Sequence, residues 1–143
     1  MTVKAILNTK GFHVVTIEPT ASIAAAVKRL AERRIGALVV QGADNRVVGI
    51  ISERDVVIAL AEQGAGILDA PVGQVMTRKV ETCDLSETVS SVMERMTAGK
   101  FRHLPVVEHN RLAGIVSIGD VVKHRLTQIE TETAALRDYI ATA

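Results

Sequence analysis

Tryptophan is absent from this 143-residue chain, and only three aromatic side chains occur, Phe12, Phe101 and Tyr139. An extended platform for stacking nucleic-acid bases is therefore excluded, and the core has to be aliphatic. Cysteine is scarce too: the single Cys83 cannot close an intramolecular disulfide and reads as a small apolar residue at a strand end. No excess of either charge exists. The 17 Lys and Arg stand against 16 Asp and Glu, for a net charge of +1 without a long basic block, which argues against nucleic acid as a partner. Apolar runs such as 56–61 stop far short of the ~20 residues that span a bilayer, and the first eight residues lack the apolar segment of a secretion signal. The expectation is a cytoplasmic protein with no membrane partner. His13, His109 and His124 have no companions at ligand spacing, so no metal is expected. Neither a nucleophile–base pair nor a glycine-rich Walker segment is present, so no catalytic residues and no catalytic cofactor are expected.

What the chain does have is aliphatic material, 48% hydrophobic residues by count, enough for a core of ordinary size. It is arranged twice. The segment 35–40 (IGALVV) is echoed 66 residues later by 101–106 (FRHLPV), and after a one-residue deletion 49–57 (GIISERDVV) is echoed by 114–122 (GIVSIGDVV). Val14-Val15-Thr16 matches Val80-Glu81-Thr82, Ser22-Ile23 matches Thr88-Val89, and the lead-ins 3–7 and 72–76 correspond. So many elements in one order point to a duplication.

Each copy reads as strand, helix, strand, strand, helix. In the first, the β-branched stretch 14–17 ends before Pro19. Ser22 is placed to cap a helix carrying Ile23, Val27, Leu30 and Ala31 at helical spacing, with Gly36 marking its end. Residues 37–40 and 47–51 form a hairpin across the turn 41–45, and Ser52 caps a second helix to about Gln63, stopped by Gly64. The second copy predicts a strand at 80–82, a helix from about Thr88 to Ala98, a hairpin of 104–107 and 112–116, and a helix from Ile118. Each half, about 50 residues, buries too little surface to stand alone, so the copies are expected to pack together around a shared core.

At these residues the chain resembles a known family, the tandem pair of cystathionine β-synthase (CBS) domains also called a Bateman module. The marks are the two Gly-apolar-apolar-Ser-x-x-Asp segments at 49–55 and 114–120, the strand 102–107 (RHLPVV) and the lead-in Val75-Met76-Thr77. The resemblance covers about 3–126 and implies an α/β (α+β) fold in which two β-α-β-β-α repeats pack as a pseudo-twofold sandwich. The expected units are 3–66, 72–127 and a helical tail at 128–143. It also implies clefts for an adenosine-containing ligand such as AMP, ADP, ATP or NAD, each cleft taking its Ser and Asp from one repeat and its base-contacting strands from the other. One site would then combine Ser52, Arg54 and Asp55 with Thr82, Asp84, Phe101, Arg102 and His103. The other would combine Ser117 and Asp120 with Thr16, Glu18, Ile35, Gly36 and Ala37.

Elementary geometry points the same way, because a strand turning directly into a helix presents free N–H groups and the positive dipole end to a phosphate. Three residues after Ser52 and Ser117, Asp55 and Asp120 are placed to accept bonds from a ribose diol. The same Ser-x-x-Asp pattern is also a helix capping box that needs no ligand. The first site gathers Arg54, Arg102 and His103 where the second has Gly119, Gly36 and Ala37, so phosphates are expected to be held more strongly in the first. Arg33 and Arg34 stand near the second.

Val122, Leu126, Ile129, Thr133, Leu136 and Ile140 step by three and four residues along the tail, a narrow stripe that either packs back on its own domain or forms a dimer contact. The function expected is a regulatory module, homodimeric, sensing an adenine nucleotide on behalf of an unidentified regulated protein. The alternative is a scaffold whose clefts bind nothing specific.

Overall fold

The Ser22 hydroxyl accepts the Ala25 N–H at 3.1 Å and the Thr88 hydroxyl accepts the Ser91 N–H at 3.1 Å, so equivalent helices begin at equivalent points of the two copies. In the computed structural model, which describes residues 1–142, the elements are α1 (Val3–Lys10), β1 (Thr16–Ile17), α2 (Ile23–Arg33), β2 (Ala37–Gln41), β3 (Val47–Ser52), α3 (Glu53–Gln63), α4 (Val89–Gly99), β4 (His103–Glu108), β5 (Arg111–Ser117) and α5 (Ile118–Thr142). Helix α2 ends earlier than Gly36: Arg34 takes the left-handed conformation, with Ile35 N–H returning to the Leu30 carbonyl. Lys100 closes α4 in the same conformation. The second-copy helix and the tail are one continuous helix, because the breaker that stops α3, Gly64, has no counterpart in α5.

Both hairpins form, with Ala37 opposite Ser52 and His103 opposite Ser117, and each carries a bulge at the same point, after Val40 and after Val106. The second turns at His109 and Asn110, both with positive φ, as a two-residue primed turn requires. The strand expected at 80–82 is absent. In the first copy β1 runs parallel to β2 through Thr16–Val39 and Ile17–Val40, whereas in the second only Cys83 pairs, with Val106. The cause is Pro105, which stands where β2 has Val39. Cys83 N–H reaches the Pro105 carbonyl and Val107 N–H reaches the Cys83 carbonyl, but the next rung needs a donor that proline lacks. The result is a three-stranded sheet and a two-stranded one.

The core also differs from the single shared one expected. Buried side chains fall into two clusters. One contains Ile17, Ile23, Leu30, Leu38, Val40, Ile51 and Val56 of the first copy with Val72 and Met76 from the lead-in of the second. The other contains Val89, Val92, Met96, Leu104, Val106, Val116 and Val121 with Val3, Ile6 and Leu7 from the lead-in of the first. Lead-ins are thus exchanged: Thr2 bridges to Thr88, and Pro71 bridges to Ser22. The other faces of β2 and β4 are buried too, at Val39 and Pro105, so the hairpins are covered on both sides as in a sandwich.

Two glycines make the exchange possible. A Cβ on Gly49 would lie 2.5 Å from Met76 Sδ and 2.9 Å from the Thr77 carbonyl oxygen, and one on Gly114 would lie 2.7 Å from a methyl of Leu7. Gly49→Ala is expected to cost about 1–3 kcal/mol by overpacking against backbone. Gly114→Ala should cost less, because only the end of a leucine has to move. Urea unfolding of the two variants checks the order.

Candidate functional site

Sheet strand and helix meet without a spacer at Ser52 and again at Ser117. The Asp55 N–H donates to Ser52 Oγ at 3.2 Å, and Asp55 Oδ2 accepts the Ser52 N–H at 2.9 Å and its hydroxyl at 3.1 Å. Asp120 and Ser117 repeat the reciprocal backbone pairs at 3.1 and 2.9 Å. Both motifs are therefore capping boxes. The remaining oxygen of Asp55, Oδ1, has only the Thr77 hydroxyl at 3.5 Å, so capping leaves it an acceptor for a further donor.

A cavity of about 510 Å³ opens at the Ser52 turn, a size within the usual range for small-molecule sites. It brings together six of the eight residues assigned to the first site, Ser52, Arg54, Asp55, Phe101, Arg102 and His103. Gly36, assigned to the second site, lines it as well, because a Cβ there would lie 3.3 Å from the His103 ring. Thr77, Lys79 and Lys100 also line it; Thr77 belongs to the lead-in motif, and none of the three is among the site residues expected from the sequence. Lys79 follows the lead-in whose backbone pairs with Ile50, and Lys100 is brought in by the left-handed turn after α4. The cations Arg54, Lys79, Lys100 and Arg102 there face the carboxylates of Glu53, Asp55 and Glu81.

Thr82 and Asp84 are not part of that lining. The Thr82 carbonyl accepts the Arg95 guanidinium at 2.8 Å. Asp84 Oδ1 accepts the Ser86 hydroxyl at 2.6 Å and the N–H groups of Ser86 and Glu87 at 2.8 and 3.0 Å, and the Ser86 bonds hold its carboxyl below the ordinary value. Its acceptor is used in shaping the loop ahead of α4.

The second set is scattered. Gly36 faces the first cavity. Thr16 and Glu18 line a separate cavity of about 720 Å³ beside the β2–β3 turn, which includes neither Ser117 nor Asp120. Ala37 is buried and Ile35 half-buried. Asp120 already has a partner: the Lys10 ammonium donates to Oδ2 at 2.6 Å and to the Ile115 carbonyl at 2.9 Å. Burial pushes the Asp120 carboxyl up, but Lys10 and the Ser117 N–H more than offset it, and the pKa lies below the ordinary value.

Cys83 is buried, and burial followed by the Glu87 charge pushes its thiol up to about 12, as a structural role requires. Among the described residues no group of three or more His, Cys, Asp or Glu is placed to hold a metal ion, and no helix is long and apolar enough to cross a membrane.

A duplicated unit with exchanged lead-ins, strand-to-helix turns related by a pseudo-twofold, and a cleft at such a turn defines a class of tandem-repeat sandwich. The family model of the CBS domain matches residues 3–62 and 72–127, and the chain belongs to the CBS-domain family. It is 39% identical over 122 residues to an uncharacterized 17.7 kDa protein of Acidianus ambivalens, covering 85% of this chain and 71% of that one. Among solved structures, the CBS-domain containing protein ATU1752 from Agrobacterium tumefaciens is 50% identical with a TM-score of 0.84, covering 87% of this chain and 99% of the other. The CBS domain protein PAE2072 from Pyrobaculum aerophilum, solved in complex with AMP, is 28% identical, covering 93% and 99%, TM-score 0.79. The CBS domain pair of protein MJ0100, solved with 5-methylthioadenosine and S-adenosyl-L-methionine, is 29% identical, covering 90% and 98%, TM-score 0.80. CBS pairs of this fold thus bind adenosine-containing ligands.

His103 supplies a pH test. Burial first, then the Lys10 and Arg102 charges, depress its pKa below 6.5, opposed by Asp120 and Glu53. The unfolded chain takes up this proton first as pH falls, so the contribution to stability is complete above 6.5 and lost below it down to the folded value. His103→Gln should flatten the decline in melting temperature between about pH 7 and 5.5, measured by calorimetry.

Proposed function

We propose that this chain is a non-enzymatic, regulatory CBS pair of the cytoplasm that binds an adenine nucleotide in the Ser52 cleft, with AMP the first candidate and ADP, ATP and NAD the others. The carrying observation is that cleft's combination of an open strand-to-helix turn, an Asp55 oxygen that capping does not use and four cations around one cavity. Asp55 Oδ1 takes a ribose hydroxyl, Arg54 and Arg102 take phosphate oxygens, and His103 and Phe101 wall the cleft. The AMP complex of the Pyrobaculum aerophilum relative supports the ligand class.

With AMP at about 100 times its dissociation constant, stability should rise by roughly 2.7 kcal/mol and the melting temperature by roughly 5–15 °C. Flat melting curves with AMP, ADP, ATP and NAD favour the scaffold instead. Asp55→Ala should weaken binding about ten- to a hundred-fold, whereas Asp120→Ala, at a carboxylate already held by Lys10, should leave affinity nearly unchanged. If the aspartates act only as caps, both variants lose about 1 kcal/mol of stability with affinity intact. Calorimetric titration together with melting of the unliganded variants separates these results.

The proposed occupancy signal passes through a homodimer built on α5. From Leu126 onward the helix does not pack back on its domain: Leu126, Ile129, Leu136 and Ile140 are 54%, 44%, 59% and 66% exposed. A seam spaced by three and four residues suits a second copy of the same helix. Replacing Leu126 and Ile129 together by Asp should abolish the dimer in sedimentation while the fold persists, since neither side chain belongs to a core cluster.

A further inference from the structure

We propose that Lys10 decides which cleft takes ligand: its ammonium is an internal occupant of the second cleft, so the protein binds one nucleotide at the Ser52 turn and none at the Ser117 turn. The inference rests on the nucleotide reading above and adds its stoichiometry and the residue that sets it. The two turns are alike in sequence, capping geometry and strand register. They differ in what the exchanged lead-in delivers. In the first cleft the lead-in leaves helical geometry after the short turn Val72–Gln74, and the Thr77 N–H takes the Ile50 carbonyl at 2.8 Å. Lys79 is thereby left at the cavity wall, with no bond to Asp55.

In the second cleft the lead-in stays helical as α1 through Lys10 and ends at Gly11. The counterpart of the Ile50 carbonyl, that of Ile115, therefore has no backbone donor from the lead-in and takes the Lys10 ammonium at 2.9 Å, while Asp120 takes it at 2.6 Å. Both side chains are partly covered, at 33% and 25% exposure, so solvent screens the pair somewhat less than a fully exposed one. A ribose hydroxyl entering this cleft replaces a bond between two opposite charges with one in which only the acceptor is charged, so it gives up the ion pair and has to move the lysine stem as well.

The test is calorimetric titration of AMP into the full chain. The wild type should take up one AMP per chain, Lys10→Ala two, and Lys10→Ala combined with Asp55→Asn one, since the asparagine keeps the cap but weakens the first cleft. Lys10→Met, which keeps the stem without the charge, provides a second variant should alanine disturb α1, and it too should show the added site. One site in both lysine variants, or two in the wild type, overturns the gate while leaving the nucleotide reading intact. Two sites in the wild type falling to one in Lys10→Ala would make Lys10 a ligand-binding group and also overturn it. No uptake by any variant overturns the nucleotide reading and this inference together.

Discussion

Neither repeat can finish its own core. The first copy lacks the side chains that Val72 and Met76 supply, and the second lacks those of Val3, Ile6 and Leu7. Because each buried aliphatic side chain contributes roughly 1.5–3 kcal/mol and the whole domain is stable by only about 5–15 kcal/mol, a copy stripped of its foreign lead-in would lose a substantial part of its margin. The crossing therefore fixes the pair as one folding unit. It also brings the lead-ins against the glycines of β3 and β5, next to the strand-to-helix turns.

That placement explains why two turns so similar in sequence end in different chemical states. A lead-in arriving extended leaves a wall with a lysine on it. One arriving helical delivers the lysine into the turn. The difference of a few helical residues thus separates an open cleft ringed by four cations from one whose carboxylate is neutralised internally. His103 stands between them, responding to Arg102 and Glu53 on one side and to Lys10 and Asp120 on the other.

The duplication, the capping serines and the two hairpins were all readable, because each depends on local spacing or on a match between two segments of the same chain. Most of the first cleft was readable for the same reason, through Ser52, Asp55 and the strand entered at Arg102. The strand expected at 80–82 does not form because β-branched composition says nothing about a missing donor on the neighbouring strand, here at Pro105. Asp84 lies outside the cavity lining and bonds Ser86 and Glu87 instead, because a short acidic side chain serves a loop as readily as a ligand. Lys10 was invisible, since its partner lies 110 residues away and nothing in a charge count pairs them. The second set dispersed with it.

Helix α5 has a mechanical meaning beyond its apolar seam. It starts at the Ser117 turn and runs unbroken for 25 residues, about 37 Å of stiff rod at 1.5 Å per residue, anchored over its first turns by Val121 and free thereafter. Such a rod multiplies angle into distance: a tilt of about 5° at Ser117 carries its far end by about 3 Å, roughly the width of an atom. A small change of angle at the Ser117 turn is thereby enlarged along the rod.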